Sequence, residues 1–139
     1  MVEAQEVQAA QNTKIVQDAY AAFSRGDIPG VLSTLHDEIV WNGVIGAAPN
    51  VPMAGERRGK PAVGEFFNLV GAHVKFSRFE PREFVAQADK VVALGHYTAT
   101  VSTGKSFDSD FAMVFTLRNG KISRFQEFMD ATALNAAFS

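Results

Sequence analysis

The feature that most constrains the fold is a series of four strand-like segments in the second half of the chain, joined by short turns. The segments run Val74 to Val85, Val91 to Val101, Ser106 to Leu117 and Lys121 to Asp130. Asn119-Gly120, between the last two, is a dipeptide typical of a two-residue hairpin, because both residues accept a positive φ. We therefore predict an antiparallel meander, in which each strand pairs with its neighbour in sequence.

Helical spacing dominates the first half of the chain. Apolar residues recur at helical intervals from Glu3 to Arg25, and a short second helix is predicted from Asp27, a good capping residue, to Leu35. A third helix is predicted from Pro61 to Gly71, after a short strand at Glu38 to Asn42. Helices followed by an antiparallel meander indicate an α+β fold, with the helices packed on one face of a curved sheet.

A long segment from Gly43 to Gly59, which contains several glycines and prolines, separates the short strand from the third helix. Loops of this length in compact domains often cover binding sites, so we predict that it forms the rim of a pocket. The tail, Ala131 to Phe138, is predicted to form one or two helical turns. We predict that residues 1–139 form a single domain, because a chain of this length can bury an adequate core.

Composition argues against several classes of function. The chain has no cysteine, which excludes thiol chemistry and disulfides, and with only three histidines we expect no metal site. The net charge is -2, with 13 basic and 15 acidic residues interspersed, so neither nucleic acid nor an anionic membrane is an expected partner. No apolar run approaches the roughly 18 residues that span a bilayer, and we predict a cytoplasmic protein.

The predicted hairpins bring two ionisable groups to one face of the sheet. If both turns contain two residues, Phe111 lies between His96 and Phe128 in one cross-strand row, and Asp130 lies in the next row. The backbones of His96 and Asp130 are then roughly 12 Å apart, which leaves room for a ligand between them. An apolar floor with two ionisable groups is the pattern expected of a small-molecule pocket.

Three motifs resemble the nuclear transport factor 2-like superfamily, the α+β cone shared by ketosteroid isomerase, limonene epoxide hydrolase and SnoaL-like polyketide cyclases. They are Ala21 to Asp27, Gly59 to Phe67, and Arg118 to Ile122 leading to Asp130. The resemblance implies a curved antiparallel sheet with helices packed on its concave face, forming a cone-shaped pocket. It does not imply one reaction, because the superfamily hosts isomerases, cyclases, hydrolases and non-catalytic modules.

The residues that characterise two of these enzymes are mostly replaced. The resemblance places the helix-one tyrosine of ketosteroid isomerase at Ala19 and its two functional aspartates near Gly43 and Ala112. Limonene epoxide hydrolase is similar over the last three strands, where Asp130 is unchanged but His96 stands in place of its other catalytic aspartate. The SnoaL-like cyclases, which carry an acid at the position of Asp130, are therefore the closest enzymatic resemblance.

We predict an enzyme that transfers protons, without a cofactor, on a small apolar carbonyl or cyclic compound, with His96 and Asp130 as acid and base. The residues predicted to contact the ligand are Tyr20, Trp41, Arg57, Leu94, Phe111, Met113 and Phe128. Asp130 also fits a helix cap, and His96 fits a structural role in its strand. A protein that only binds an apolar metabolite, and an interaction module, remain alternatives.

A homodimer is predicted through the sheet. The strand Ser106 to Leu117 is partly apolar on both faces, so helices would cover one face and a partner subunit the other. Glu127 is expected on the face opposite the pocket, where it would contact the partner subunit.

Overall fold

The computed structural model describes residues 2–139. Its helices are α1 (Val2–Ser24), α2 (Ile28–Ser33), α3 (Lys60–His73) and α4 (Ala131–Phe138). Its strands are β1 (Leu35–Asn42), β2 (Glu56–Arg58), β3 (Val74–Gln87), β4 (Lys90–Val101), β5 (Ser106–Arg118) and β6 (Lys121–Met129). This mixture of helices and one curved sheet confirms the predicted α+β class. None of the described helices combines the length and apolarity needed to cross a membrane.

The six described strands form one sheet in the order β2-β1-β6-β5-β4-β3. Strands β3 to β6 make the predicted antiparallel meander. The sheet is antiparallel except at β1, which pairs in parallel with β6 and places Trp41 beside Phe125. The short edge strand β2 lies inside the segment that was predicted to be a loop, and it pairs with β1.

The helices cover the concave face of the sheet. Helix α1 buries Val16 and Ala22, and α3 buries Val63 and Phe66. Burial alternates along β4 and β5, so that odd-numbered residues such as Phe111 point towards the helices and even-numbered residues point outward. This period of two is the pattern expected of a sheet with one covered face.

The turn between β4 and β5 is one residue longer than predicted. The amide of Val101 donates a hydrogen bond of 2.9 Å to the carbonyl oxygen of Lys105, and this bond closes a three-residue turn in which Gly104 has φ 90°. His96 therefore pairs with Asp110 and not with Phe111. Because a slip of one residue exchanges the faces of a strand, the predicted position of His96 on the pocket face is wrong.

A bulge near the start of β6 shifts the second hairpin as well. Leu117 pairs with Ile122 as predicted, but Thr116 pairs with Arg124, which leaves Ser123 as the additional residue. Beyond this bulge, residue 127 points to the concave face and residue 128 to the outer face. The predicted placement of Phe128 in the pocket and of Glu127 on the opposite face is therefore wrong.

Candidate functional site

A cavity lies between the concave face of the sheet and helices α1, α3 and α4. The space open to the centres of water-sized molecules is ≈ 90 Å³, several times the ~10–15 Å³ that one water needs, so a small organic molecule can be accommodated. Most of the wall is aromatic or aliphatic, and its rings include Trp41, Phe66, Phe76, Phe107, Phe115 and Phe125. Val44 and Met53, from the segment predicted to be the pocket rim, also line the cavity.

Glu127 supplies a carboxyl group to this apolar cavity. The residue is 7% exposed, and it reaches the cavity because the bulge turns it inward from β6. Its Oε1 accepts a hydrogen bond of 3.1 Å from the amide of Val44, and its Oε2 accepts one of 2.7 Å from the hydroxyl of Tyr97. Burial raises the pKa of Glu127, and the two hydrogen bonds oppose that change because they favour the carboxylate.

Two tyrosine hydroxyls belong to the same site. Tyr97, on β4, donates to Glu127 across β5, and Tyr20, on α1, donates to Sδ of Met113 at 2.9 Å. Burial, and then the charge of Glu127, raise the pKa of both phenols. Both tyrosines therefore remain protonated at neutral pH, when each can serve as a hydrogen-bond donor.

Trp41 forms part of the wall that β1 and β6 share. Its indole stacks on Phe125 with ring centroids 3.9 Å apart, and it meets the edges of Phe66 and Phe67. Its indole N–H is buried without a hydrogen-bond partner in the part of the chain that the structure describes. Trp41 is also the single tryptophan of the sequence, so its fluorescence reports on this wall alone.

Comparison with known families decides the classification. The SnoaL-like domain family matches residues 16–125, which is more than half of the chain. The chain belongs to the SnoaL-like family. No curated protein matches its sequence. The predicted resemblance to the superfamily is thus confirmed.

Solved structures similar to this SnoaL-like chain cover nearly all of it. An NTF2-like protein from Burkholderia xenovorans LB400 is 32% identical, with 94% of this chain and 98% of that chain covered and a TM-score of 0.84. An NTF2-like protein from Burkholderia pseudomallei K96243 is 26% identical, with coverage of 93% and 98% and a TM-score of 0.82. TerC, co-crystallised with polyporic acid, is 27% identical, with coverage of 92% and 98% and a TM-score of 0.77.

In the SnoaL-like chain, His96 lies on the outer face of the sheet. Its Nδ1 is 2.8 Å from Oδ1 of Asp110, and its Nε2 is 2.5 Å from Oδ1 of Asp108. The hydrogen bond to Asp110, followed by that to Asp108, raises the pKa of His96, because both favour the imidazolium. His96 is thus bound to two carboxylates and does not line the cavity.

The remaining predicted site residues divide between the cavity wall and other parts of the fold. Tyr20, Trp41 and Met113 line the cavity, where their contact with a ligand stays a prediction. Asp130 is exposed and caps α4, since its Oδ1 accepts a hydrogen bond from the amide of Ala133. The four other residues lie outside the cavity wall: Phe111 in the core, Leu94 and Phe128 on the outer face, and Arg57 with its guanidinium over the ring of Phe66.

Sequence reasoning missed Glu127 and Tyr97 as a pair. Tyr97 occupies the alternate position to His96 on β4, and Glu127 the alternate position to Phe128 on β6. The alternation of side chains is visible in the sequence. The longer turn between β4 and β5 and the bulge in β6, which decide whether odd-numbered or even-numbered residues face the cavity, are not. Among residues 2–139, no three carboxylate or imidazole groups are arranged to hold a metal ion.

Proposed function

We propose that this SnoaL-like protein is an enzyme that transfers a proton on a small, uncharged, cyclic carbonyl compound, with Glu127 as the group that takes and returns the proton. The supporting observation is a buried carboxyl group with a raised pKa in an apolar cavity. Proton transfer by a positioned side chain contributes about 10²–10⁴ in rate, and a raised pKa makes a carboxylate a stronger general base. Glu127, inside the cavity, thus takes the acid and base role that the sequence predicts for His96 and Asp130.

In the proposed reaction, ionised Glu127 removes a proton from the carbon next to the substrate carbonyl. The C–H electron pair forms a carbon–carbon double bond, and the carbonyl oxygen gains the negative charge of an enolate. In a substrate with a carbon–carbon double bond between its β and γ carbons, the enolate is conjugated with that bond, and return of the proton to the γ carbon isomerises the substrate. Attack of the enolate on a second carbonyl of the same molecule closes a ring instead, and the proton from Glu127 then neutralises the new alkoxide.

Tyr20 is the donor best placed to hold the enolate oxygen. Its hydroxyl is buried beside the cavity, and its hydrogen bond is to a thioether sulfur, which is a weak acceptor. A substrate oxygen is a stronger hydrogen-bond acceptor than the sulfur of Met113. Binding is therefore favoured when the Tyr20 hydroxyl donates to the substrate and no longer to the sulfur. A donor that meets a developing oxyanion contributes about 10²–10³ in kcat.

The wall of the cavity favours an uncharged substrate. Among the described residues, no lysine, arginine or histidine lines the cavity, so an anionic substrate would find no cation and would meet the charge of Glu127. The aromatic rings of Trp41 and Phe125 offer flat surfaces to a planar ring. The co-crystallisation of TerC with polyporic acid supports a small organic ligand for the present chain.

Hydrogen exchange tests the proposal before the natural substrate is identified. Cyclic ketones such as 1-indanone and 2-tetralone are incubated in deuterium oxide with the wild type and with Glu127→Gln, and loss of the α-hydrogen signal is followed by proton NMR. We expect wild-type exchange above the buffer rate and a loss of about 10²-fold or more in the variant. Glu38→Gln, at an exposed carboxylate, is the matched control. Equal exchange in wild type and Glu127→Gln would overturn the proposal.

The second candidate function is binding of an apolar metabolite without catalysis. It is favoured by one observation, namely that both oxygens of Glu127 already accept hydrogen bonds from the protein. Quenching of Trp41 fluorescence by the same ketones measures binding alone. Quenching without α-hydrogen exchange in the wild type would favour this candidate.

We also propose a homodimer through the outer face of the sheet. Phe128 is 43% exposed there, and Val92, Leu94, Ala112 and Val114 on the same face are only partly covered. Burial of such a face in a second copy would remove apolar surface from water.

A further inference from the structure

Val44 adopts an unusual backbone conformation next to the carboxyl group of Glu127. Its φ is 47°, in the left-handed region, although a β-branched side chain makes this region unfavourable. The residue is 8% exposed, and its side chain lines the cavity. A strained conformation of this kind persists only where the surrounding contacts hold it in place.

Two of the three hydrogen bonds that hold Val44 and its neighbour in place are made to Glu127. The amide of Val44 donates to Oε1 of Glu127 at 3.1 Å, and the amide of Ile45 donates to the main-chain oxygen of Glu127 at 3.0 Å. A third bond, from the amide of Ala47 to the carbonyl oxygen of Val44, closes the turn at 3.0 Å. The first of these bonds is made to an ionisable oxygen, so its strength depends on the charge of Glu127.

We propose that the main-chain amide of Val44 is a positioning group for the Glu127 carboxylate, and that the negative charge of Glu127 in turn holds Val44 in its strained conformation. When Glu127 takes up a proton, the charge-assisted hydrogen bond weakens, and the backbone at Val44, in the segment Gly43 to Gly59, relaxes. The catalytic meaning of this coupling rests on the proposed function, since it would loosen the rim after each proton transfer. The coupling itself requires only that Glu127 titrate.

Among the described residues, only two other ionisable side chains line the cavity with Glu127, so a pH-dependent change there reports the ionisation of Glu127. Tyr97 from β4 donates to the other carboxyl oxygen, Tyr20 from α1 lies near enough for its pKa to respond to the charge, and both phenols stay protonated. No other ionisable side chain in the described residues lines the cavity. By linkage, a bond that stabilises the carboxylate must itself be stabilised by ionisation of that carboxylate.

The test is an NMR pH titration of isotope-labelled protein without substrate. The carboxyl carbon of Glu127 and the amides of Val44 and Ile45 are followed together. We expect the chemical shifts of both amides to titrate with the same midpoint as the Glu127 carboxyl. At pH values below that midpoint, the hydrogen-exchange protection of Ile45 should be about tenfold lower, because the strain is released. Amide shifts that do not follow the Glu127 midpoint would overturn the proposal.

Three variants and one control distinguish the effect of the charge on Glu127 from the effect of the strain at Val44. The glutamine of Glu127→Gln is neutral at every pH, so both amides should keep their low-pH chemical shifts throughout the titration. Glu38→Gln should leave the titration unchanged. Tyr97→Phe removes a bond that lowers the Glu127 pKa, so both midpoints should rise together, and this arm remains informative if Glu127→Gln does not fold. Val44→Gly keeps the amide but accepts a positive φ without strain, so its Ile45 protection should no longer depend on pH.

Each result of these variants bears on the coupling. The coupling would be overturned if the hydrogen-exchange protection of Ile45 still depended on pH in Val44→Gly. It would also be overturned if the Glu127 midpoint changed in Tyr97→Phe while the midpoints of the two amides did not. Because no substrate is present, failure here leaves the α-hydrogen exchange test of the proposed function unaffected.

Discussion

The hydroxyl oxygen of Tyr97 lies 2.7 Å from Oε2 of Glu127, and this hydrogen bond joins β4 to β6 across the strand between them. Both residues are buried, so the bond forms in a region of low dielectric constant where it is stronger than in water. It fixes the orientation of the carboxyl group in the cavity and opposes the effect of burial on the pKa of Glu127.

The raised pKa of Glu127 predicts a specific dependence of stability on pH. The folded protein binds this proton more tightly than the unfolded chain, in which a glutamate has a pKa of about 4.3. The contribution of Glu127 to the free energy of unfolding is therefore greatest below that pH and falls as pH rises through the folded pKa. In the wild type, the unfolding free energy should fall by about 1.4 kcal/mol for each unit by which the pKa of Glu127 is raised. We expect Glu127→Gln to show no such fall.

Urea unfolding of wild type and Glu127→Gln between about pH 4 and pH 8 measures the difference, in which contributions from other groups cancel. Glu38→Gln serves again as the exposed control. A difference in unfolding free energy that stays constant over this range would contradict the prediction.

The hydrogen bonds from His96 to two carboxylates predict how its titration responds to mutation. Because the hydrogen bond to Asp110 raises the pKa of His96, Asp110→Asn should lower the midpoint of the His96 ring protons in an NMR titration. Asp89→Asn, at an exposed carboxylate in the turn before β4, should leave that midpoint unchanged. The stabilisation from the imidazolium is present below the unfolded pKa and is lost as pH rises through the folded pKa. A His96 midpoint insensitive to Asp110→Asn would be inconsistent with this geometry.

Gly95 is predicted to be essential for the pairing of β3 with β4. An added Cβ at this position would lie 2.2 Å from the main-chain oxygen of Glu80 and 2.5 Å from the ring of Phe111. Gly95→Ala should therefore lower the unfolding free energy by about 1–3 kcal/mol or more, because a main-chain atom cannot move without breaking the pairing. Gly71→Ala, in α3 and with no atom within 4 Å of the new Cβ, should be neutral or stabilising. Equal thermal midpoints for the two variants would contradict the prediction.

Exposure of Phe128 predicts that an acidic side chain at this position prevents dimerisation. Phe128→Asp places a charge on the outer face, and we expect sedimentation velocity to show a monomer for the variant and a dimer for the wild type. Val7→Asp changes another exposed apolar residue, 56% exposed on α1, and should leave the dimer intact. A monomeric wild type, or a dimer that Phe128→Asp leaves unchanged, would argue against the proposed interface.

Local signals in the sequence predicted most of the elements. Asn119 and Gly120 have φ 52° and 75°, as the hairpin dipeptide predicts, and the tail after Asp130 forms the expected short helix. The positions of Tyr20 and Met113 on inward faces follow from the phase of a helix and of a central strand. These features depend on residues close in sequence, which is why the sequence alone predicts them.

The identity of the acid in the cavity depended on two shifts that local signals do not determine. Thr103-Gly104 fits both a two-residue turn and the three-residue turn that forms, and no residue near Ser123 signals the bulge that forms there. Each shift exchanges the faces of one strand. His96 was thereby expected inside and lies outside, whereas Glu127 was expected outside and lies inside.

The parallel pairing of β1 with β6 also constrains how this chain can fold as it is synthesised. β1 emerges from the ribosome early, but β6, its neighbour in the centre of the sheet, is the last strand to be made. Until β6 emerges, the apolar side of β1, including Trp41, has no central partner strand and is exposed to chaperones or to other chains. Completion of the sheet is therefore expected only after nearly the whole domain has left the ribosome, which is the slow, non-local type of folding.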